Sequence, residues 1–230
     1  MADREERFRV VADVVRWSLA RTGDAGRPAR IVDVGCGPGS LSSRLARELP
    51  GAEIVGVDVD PLLLGLAAES GVRVVRADIT DPAWPDALGL AGPWDVVVSS
   101  TALHWLAPAP LAELYRTVAG RLRPGGVFVD ADNRPLDGDV AADLGRWVRD
   151  ARAERAGVTG NEDWRSWWDA VLADSDLGPL VDARSEASIA HSSENEQSVG
   201  EHASMLRAAG FGTAVPVWQC GDDIVLVGVR

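Results

Sequence analysis

The chain has 230 residues and a net charge of −12, with 35 acidic residues against 23 basic residues, all of them arginine. This length predicts a single domain with a substantial core. The acidic balance argues against nucleic acid or an acidic membrane surface as the main partner. Two cysteines give no disulfide framework. The sequence has no run of 18 apolar residues that could cross a membrane, and the first residues are too charged for a signal peptide. We therefore expect a cytoplasmic protein.

Residues 3–22 predict an amphipathic helix, followed by a linker that ends at residue 28. The apolar side chains at helical spacing are Phe8, Val11, Val14, Val15, Trp17 and Leu19. Two interpretations of this helix stay open. It either covers a sheet or forms part of a lid over a ligand.

The segment 31–40 is the most informative part of the chain. A short apolar run that contains Asp33 predicts a buried parallel strand. Three glycines follow at alternate positions, namely Gly35, Gly37 and Gly39. Glycine is favoured where the backbone takes a positive φ or where a ligand approaches it closely. The pattern therefore predicts a loop that holds a ligand at the start of a helix near Ser40.

The spacing of this loop favours one kind of ligand over another. A nicotinamide or flavin loop has its third glycine one position later, where Ser40 stands. Asp33 lies two residues before the first glycine, and a carboxylate at that place suits a ligand with a positively charged amino group. Asp58 lies 23 positions after Gly35 at the end of a second predicted strand, where an acid can bind ribose hydroxyls.

Three further strands are predicted, alternating with helices: 72–79, 94–100 and 127–130, the last preceded by a turn over 122–126. Asp60 and Pro61 have the residue types of a helix N-cap and first turn. A short or irregular helix is expected within 81–92, and a longer one over 109–121. This alternation predicts a parallel sheet with right-handed crossovers.

Residues 133–200 interrupt the alternation and predict an inserted helical segment. One helical stripe consists of Val140, Leu144, Trp147, Val148 and Ala151, and a second consists of Trp164, Trp167 and Trp168. The tryptophans either line an apolar substrate pocket or anchor the segment to the domain. Residues 185–200 are polar and predict a loop.

The end of the chain predicts a helix over 201–210, closed by Gly210, and then an antiparallel hairpin. The two hairpin strands are expected at 211–218 and 224–229, around a turn at 221–223. A purely parallel dinucleotide-binding fold does not need such a hairpin.

In their order, these motifs resemble those of the class I S-adenosylmethionine-dependent methyltransferases. The resemblance covers residues 30–130 and includes the Leu-x-Pro-Gly-Gly turn at 122–126. It implies one domain over 1–230 with an α/β fold: a doubly wound seven-stranded sheet, Rossmann-like, whose last strand is antiparallel, with a helical substrate cover at 133–200 after strand 5. The stretch 102–105 is also similar to small-acid relatives, the trans-aconitate and malonyl-thioester methyltransferases.

The resemblance implies a set of cofactor-binding residues for S-adenosylmethionine and its product S-adenosylhomocysteine. Asp33 is expected near the amino group, Asp58 at the ribose, and Asp78 with Ile79 at the adenine. The full expected set is Asp33, Gly35, Cys36, Gly37, Gly39, Asp58, Val59, Asp78, Ile79 and Ser99. Cys36 is interpreted as a small loop residue rather than a nucleophile.

His104 is the first candidate for a general base, because it directly follows the fourth strand at the edge where ligands of open α/β sheets bind. A carboxylate acceptor would need no base, and His104 would then only contact cofactor or helix. His191 and His202 are interpreted as surface residues and Tyr115 as a packing residue. No cluster of side chains has convincing metal-ligand spacing.

The predicted function is methyl transfer from S-adenosylmethionine to a small or medium organic acceptor, at oxygen or nitrogen, by a monomer or a homodimer. Two alternatives stay open: a cofactor-binding protein of the same fold that does not methylate, and a nicotinamide-dependent oxidoreductase.

Overall fold

The computed structural model describes residues 4–22, 26–157, 164–187, 189 and 197–230. The helices are α1 (Arg4–Thr22), α2 (Ser40–Glu48), α3 (Pro61–Glu69), α4 (Trp84–Ala87), α5 (Pro108–Arg121), α6 (Asp139–Arg155), α7 (Trp164–Ala173), α8 (Gly178–Glu186) and α9 (Val199–Ala208). The strands are β1 (Arg30–Val34), β2 (Glu53–Asp58), β3 (Arg73–Arg76), β4 (Trp94–Ser100), β5 (Leu122–Asn133), β6 (Thr213–Cys220) and β7 (Asp223–Val229). Among the helices of these ranges, none combines the length and apolar character needed to cross a membrane.

The seven strands form one sheet in the order β3-β2-β1-β4-β5-β7-β6. Neighbouring strands among β1 to β5 are parallel, and β7 is antiparallel to both β5 and β6. The carboxyl ends of β1 to β5 therefore meet at one edge, and β7 begins at the same edge, where Asp223 pairs with Asn133. The predicted α/β fold, with its antiparallel last strand, is confirmed.

The third and fifth strands do not have the predicted boundaries. The third strand stops at Arg76, short of the predicted 72–79, because the Asp78 carboxylate accepts hydrogen bonds from the Thr80 N–H and hydroxyl and turns the chain. Residues 122–126 belong to β5 instead of a separate turn. The Gly125 N–H donates to the Arg230 carbonyl, and the Arg230 N–H donates to the Gly126 carbonyl. The last residue of the chain thus extends the strand pairing.

Apolar side chains cover both faces of the sheet. One layer joins β5 to α5 and α9 through Phe128, Tyr115 and Leu206, and the other joins the sheet to α1 and α2. In the second layer the α1 side chains Phe8, Val11 and Val15 are buried against the strands. The helix therefore covers the sheet, and its role as part of a lid stays a prediction.

Trp17 differs from the predicted apolar side of α1. It is 48% exposed and lies under the Arg21 guanidinium instead of packing on the sheet. Its position on the helix places it on the solvent side, away from Val11 and Val15, so the sequence pattern alone made the apolar stripe too wide.

The helices α6, α7 and α8 follow β5, where a helical cover is predicted. On one side Leu180 of α8 packs against α3 at Gly65, where a Cβ would lie 2.6 Å from a Leu180 methyl carbon. On the other side α6 approaches the β6–β7 turn so closely that a Cβ on Gly221 would lie 2.5 Å from the Gly145 carbonyl oxygen. These helices are therefore anchored beside β2 and beside β7, at both sides of the carboxyl edge, and their role as a substrate cover stays a prediction.

The two tryptophans Trp167 and Trp168 contact each other edge to face on α7, and the Arg184 guanidinium lies over the Trp168 ring. The side chain of Trp164, predicted on the same face, lies outside the described residues. The segment predicted as a loop at 185–200 is shorter than expected. It begins later because α8 continues to Glu186, and it ends earlier because α9 starts at Val199. Residue 188 and residues 190–196, which include His191, lie outside the described residues.

Candidate active site

The glycine loop after β1 needs its glycines for two reasons. Gly35, Gly37 and Gly39 all have φ between +51° and +76°, a region that other residues rarely adopt. A Cβ on Gly35 would also lie 2.4 Å from the Cβ of Ala102, at the end of β4. By contrast, a Cβ on Gly37 would meet only a Leu63 methyl at 4.0 Å. The loop therefore presents open backbone at Gly37 and is tightly packed at Gly35.

Cys36 fills the space behind this loop. It is buried, and a Cβ on Gly56 of β2 would lie 2.8 Å from its Sγ atom. Burial and the nearby Asp33 raise the pKa of the Cys36 thiol far above its usual value, so the thiol stays protonated at neutral pH. This environment agrees with the interpretation of Cys36 as a small packing residue of the loop.

Asp33 is buried in β1 beneath the loop. Its carboxylate accepts a 2.5 Å hydrogen bond from the Ser42 hydroxyl of α2. Burial raises the pKa of Asp33 to about 7, against the lowering effect of the Ser42 hydrogen bonds, and the negative charge of Asp58 raises it further. A bound cation would lower this pKa and favour the ionised form.

Asp58 lies at the end of β2 with both oxygens directed at backbone. One oxygen accepts from the Gly37 N–H at 2.8 Å, and the other accepts from the Asp60 N–H at 3.0 Å. Burial raises the pKa of Asp58, partly offset by these hydrogen bonds. The second predicted ligand acid is thus bonded directly to the glycine loop, and the adjacent Val59 is half-buried with its carbonyl turned to Arg76.

The other predicted cofactor residues lie along the same edge. Asp78 is exposed just after β3, and Ile79 packs against the core beside it. Ser99 is buried on β4, and its hydroxyl donates to the Val34 carbonyl at 2.8 Å, which ties β4 to β1. Each predicted residue therefore lies at the carboxyl ends of β1 to β4 or in the loop beside them, and its contact with a cofactor stays a prediction.

His104 lies after β4 and is held by a residue that the sequence analysis did not identify. Its Nδ1 atom lies 3.0 and 2.9 Å from the two carboxylate oxygens of the buried Asp132 on β5. A carboxylate only accepts hydrogen bonds, so in this pair Nδ1 carries the proton and Nε2 of the neutral ring carries the free lone pair. The His104 side chain is 33% exposed and is therefore accessible from solvent.

Asp132 belongs to a buried charged row on β5 and beyond. The Arg134 guanidinium lies 3.2 Å from Asp132 and 3.2 Å from Asp130, and all three side chains are at most 1% exposed. Burial alone would raise the pKa of Asp132, but the His104 hydrogen bond and the Arg134 charge outweigh it and lower this pKa. For Asp130, burial outweighs Arg134 and raises the pKa to about 6.

This row was visible in the sequence. Positions 130, 132 and 134 alternate along a strand, so their side chains share one face of the sheet. The predicted fifth strand ends at residue 130, whereas β5 continues to Asn133. With the strand extended, an acid at 132 opposite the end of β4 is the signal that predicts a partner for His104.

The prediction of His202 as a surface residue is wrong. His202 is fully buried on α9, and its Nδ1 atom lies 2.7 Å from the Tyr115 hydroxyl. Burial and the Arg134 charge lower the pKa of His202 to about 3, so it is neutral at physiological pH. The start of α9 explains the difference, because the capping box of Ser198 and Glu201 turns His202 toward the core. Tyr115 is a buried residue, as predicted.

Among the described residues no group of three or more histidines, cysteines and carboxylates is arranged to hold a metal ion. The chemistry that this edge offers comes instead from open loop backbone, from carboxylates at the ends of β1 and β2, and from an imidazole oriented by Asp132.

Comparisons with known proteins identify the class of this domain. Residues 32–128 match the family described as "Methyltransferase domain". Over 83 residues, 35% of this chain and 28% of the relative, the chain is 45% identical to a trans-aconitate 2-methyltransferase of Mycobacterium tuberculosis. Over 144 residues it is 41% identical to a trans-aconitate 2-methyltransferase of Rhodococcus jostii, covering 58% of this chain and 52% of the relative. The chain thus spans about half or less of the length of these curated relatives.

Solved structures agree on the fold. An O-methyltransferase family protein from Burkholderia thailandensis superposes with a TM-score of 0.58 at 18% identity, covering 96% of this chain and 55% of that one. Magnesium protoporphyrin IX methyltransferase from Synechocystis, solved with S-adenosylhomocysteine, gives a TM-score of 0.57 at 16% identity over 100% of this chain and 85% of that one. At these identities the likeness concerns the fold alone.

The sheet order and the glycine loop show the doubly wound fold of the class I S-adenosylmethionine-dependent methyltransferases, and residues 32–128 are similar to the methyltransferase domain family. The antiparallel β7 beside β5 also counts against the oxidoreductase alternative, since a purely parallel dinucleotide-binding fold does not need that strand.

Proposed function

We propose that the protein transfers a methyl group from S-adenosylmethionine to an oxygen or nitrogen of a small organic acceptor. The observation that carries this proposal is the Gly37 N–H bound to Asp58 at the open glycine loop, with the His104–Asp132 pair at the ends of the neighbouring strands. The cytoplasm as the site of action, and a monomer or homodimer as the working form, stay predictions from the sequence.

The residues present fit the cofactor. The buried Asp33 lies beneath the loop with a hydroxyl as its hydrogen-bond donor, and a ligand ammonium group would supply the charge that this carboxylate lacks there. Asp58 is fixed by two backbone N–H groups and can accept from ribose hydroxyls with its remaining lone pairs. The open space at Gly37 leaves room for a ligand against the backbone.

When bound, S-adenosylmethionine supplies a methyl group that its sulfonium has already activated. His104 then has one task, to take a proton from the acceptor at Nε2 as the new bond to the methyl carbon forms. Asp132 fixes the imidazole tautomer and stabilises the imidazolium that results. Arg134 stabilises the ionised, buried Asp132, and Asp130 pairs with the same guanidinium group.

The cover contributes positioning and exclusion of water. Its α8 is anchored beside the cofactor loop through the ion pair of Arg184 with Asp60 at 2.6 Å, and α6 is anchored beside β7 through Arg149 with Asp222 at 2.7 Å. Holding two reactants in line contributes up to about 7–11 kcal/mol in favourable systems. A cover that closes both sides of the edge serves that purpose.

The test is calorimetric titration with S-adenosylhomocysteine on the wild type, Asp58→Ala and the control Asp13→Asn on the exposed side of α1. We expect micromolar binding that Asp58→Ala weakens at least about tenfold, in line with the loss of a charge-assisted hydrogen bond. Absence of binding in a folded wild type would refute the proposal.

A further inference from the structure

The charges at the acceptor end of the site restrict the kind of acceptor. We define the acceptor end as the carboxyl ends of β4 and β5 together with the start of β7. Among the described residues, the carboxylates of Asp130, Asp132, Asp222 and Asp223 lie there. The guanidinium groups of Arg7, Arg134 and Arg149 pair with them.

Each of these three arginines already has a carboxylate partner. Arg134 lies between Asp130 and Asp132, Arg7 bonds to Asp223 at 2.7 Å, and Arg149 bonds to Asp222 at 2.7 Å. The Arg7 and Arg134 side chains are 1% exposed, so their charges are desolvated as well as paired. The Nε and Nη1 atoms of Arg134 have no hydrogen-bond partner among the described residues, but both are buried beside Asp130 and Asp132. An anionic acceptor would have to lose its water and approach these two carboxylates to reach them, or displace one of the existing pairs.

The His104–Asp132 pair points to the same class of acceptor. A carboxylate acceptor is already an anion at neutral pH and gains nothing from a general base, whereas a hydroxyl has a proton to lose. The ionised Asp132 behind the imidazole would also repel a second anion at Nε2, and it would stabilise a cation.

An aromatic surface adjoins the base. Trp105 directly follows His104, is 41% exposed, and has its ring centroid 4.9 Å from the imidazole centroid. An indole ring offers stacking area to a flat acceptor and a negative face to a positively charged one.

We infer that the acceptor is a neutral or cationic hydroxyl compound, such as an aromatic alcohol or a phenol, and not a polycarboxylic acid. This inference rests on the proposed methyl transfer. It separates the chain from the trans-aconitate methyltransferases that it resembles, because trans-aconitate carries three carboxylates at neutral pH, and their similarity covers 35 to 58% of this chain.

The experiment compares three phenols that differ mainly in the charge of one substituent, and it adds a polycarboxylate. Release of S-adenosylhomocysteine is measured with tyramine, 4-ethylphenol and 3-(4-hydroxyphenyl)propanoate, which place an ammonium group, no charge and a carboxylate opposite the same phenol, and with trans-aconitate. We expect kcat/KM for tyramine and 4-ethylphenol to exceed that for the propanoate by about a hundredfold, since juxtaposed like charges cost several kcal/mol. Trans-aconitate should give no methyl ester.

A variant at Asp222 tests whether removing a negative charge favours the anionic acceptor. Asp222→Asn removes the buried carboxylate partner of Arg149, whose side chain is 40% exposed and keeps its second partner Asp150, and it leaves the Asp222 backbone carbonyl that the Arg134 N–H uses. We expect it to raise the relative kcat/KM for the propanoate at least about fivefold, because the Nη1 atom of Arg149 no longer faces a buried carboxylate. The control Asp13→Asn breaks a comparable arginine pair on exposed α1 and should change no ratio.

The outcomes separate the two proposals. If the folded wild type does not bind S-adenosylhomocysteine, the proposed methyl transfer itself is refuted. With binding intact, faster turnover of trans-aconitate or the propanoate overturns the acceptor class and leaves methyl transfer standing. With binding intact, a protein that neither binds nor methylates any of the three phenols also overturns it.

Discussion

Two buried carboxylates at the same edge of the sheet have opposite environments. Asp33 at the end of β1 is bonded to the Ser42 hydroxyl, and burial raises its pKa to about 7. Asp132 at the end of β5 is bonded to His104 and Arg134, and these partners lower its pKa despite its burial. The comparison shows that Asp33 has a neutral hydrogen-bond partner where a ligand could bring a positive charge, whereas Asp132 already has a cationic partner in Arg134.

The largest effect is expected from breaking the acceptor end. His104→Ala should lower kcat by about 10²–10⁴ with a hydroxyl acceptor, because the proton of the acceptor loses its base. Affinity for S-adenosylhomocysteine should stay within about twofold of the wild type, since Gly37 and Asp58 are untouched. Single-turnover kinetics measures the rate and calorimetry measures the affinity for S-adenosylhomocysteine on the same preparation. An unchanged kcat would show that His104 is not the general base.

Asp132→Asn provides a second test of the same end. It should lower kcat in the same range and should also reduce the free energy of unfolding by about 3–5 kcal/mol, because Arg134 loses a partner in the interior. Asp139→Asn at the exposed start of α6 is the control and should change neither quantity.

The next effect is expected at the cofactor end, which comprises the glycine loop 35–39 with Asp33 and Asp58. Gly35→Ala forces a residue with a Cβ into φ +67° and against Ala102. We expect a loss of about 2–4 kcal/mol in unfolding free energy and at least a hundredfold loss in S-adenosylhomocysteine affinity. The matched control is Gly51→Ala, where a Cβ meets nothing within 4 Å. Urea unfolding and calorimetry check the pair, and an equal effect of both variants would contradict the loop's role.

Asp33→Asn sharpens the comparison because stability and binding should change in opposite directions. In the folded protein the pKa of Asp33 is raised, so the wild type loses stability as pH rises from about 4 through about 7. The neutral amide avoids that loss. The upper limit is about 4 kcal/mol, and we expect about 2 kcal/mol at pH 8 because the amide must keep the Ser42 hydrogen bond.

The same substitution should weaken binding of S-adenosylhomocysteine about tenfold to hundredfold, through loss of a charged hydrogen bond to its ammonium group. Wild-type affinity should rise with pH through about 7 as Asp33 ionises, and the affinity of Asp33→Asn should stay flat over that interval. Thermal unfolding and calorimetry between pH 5 and 8 give both curves. A flat wild-type curve would show that Asp33 does not meet the ligand's positive charge.

The two ends also differ in how far the sequence predicted them. The cofactor end can be predicted from short sequence motifs, because the spacing of Gly35 to Gly39 and of Asp58 is itself characteristic. The acceptor end depends on pairing across strands, since Asp132 meets His104 only because β5 continues past residue 130 beside β4. His202 shows the same limit, because its burial follows from where α9 begins and how it packs on Tyr115.

The smallest expected effect concerns the link between the cover and the cofactor end. One Asp60 oxygen caps α3 by accepting from the Leu62 and Leu63 N–H groups, and the other binds Arg184 of α8. Asp60→Ser keeps a capping oxygen and removes the ion pair, whereas Asp60→Ala removes both. We expect a loss of about 0.5 kcal/mol for the serine variant, because Arg184 is partly exposed and screened, and about 1–2 kcal/mol for the alanine variant.

Binding of S-adenosylhomocysteine distinguishes a cover that is coupled to the cofactor loop from one that only rests on it. Asp60 also donates its backbone N–H to Asp58, and both variants keep that bond. If α8 helps to hold the cofactor end closed, both variants should weaken binding by about the same factor of two, because both remove the Arg184 pair. A weakening seen only with Asp60→Ala would assign the effect to the α3 cap and leave the cover without influence on the cofactor.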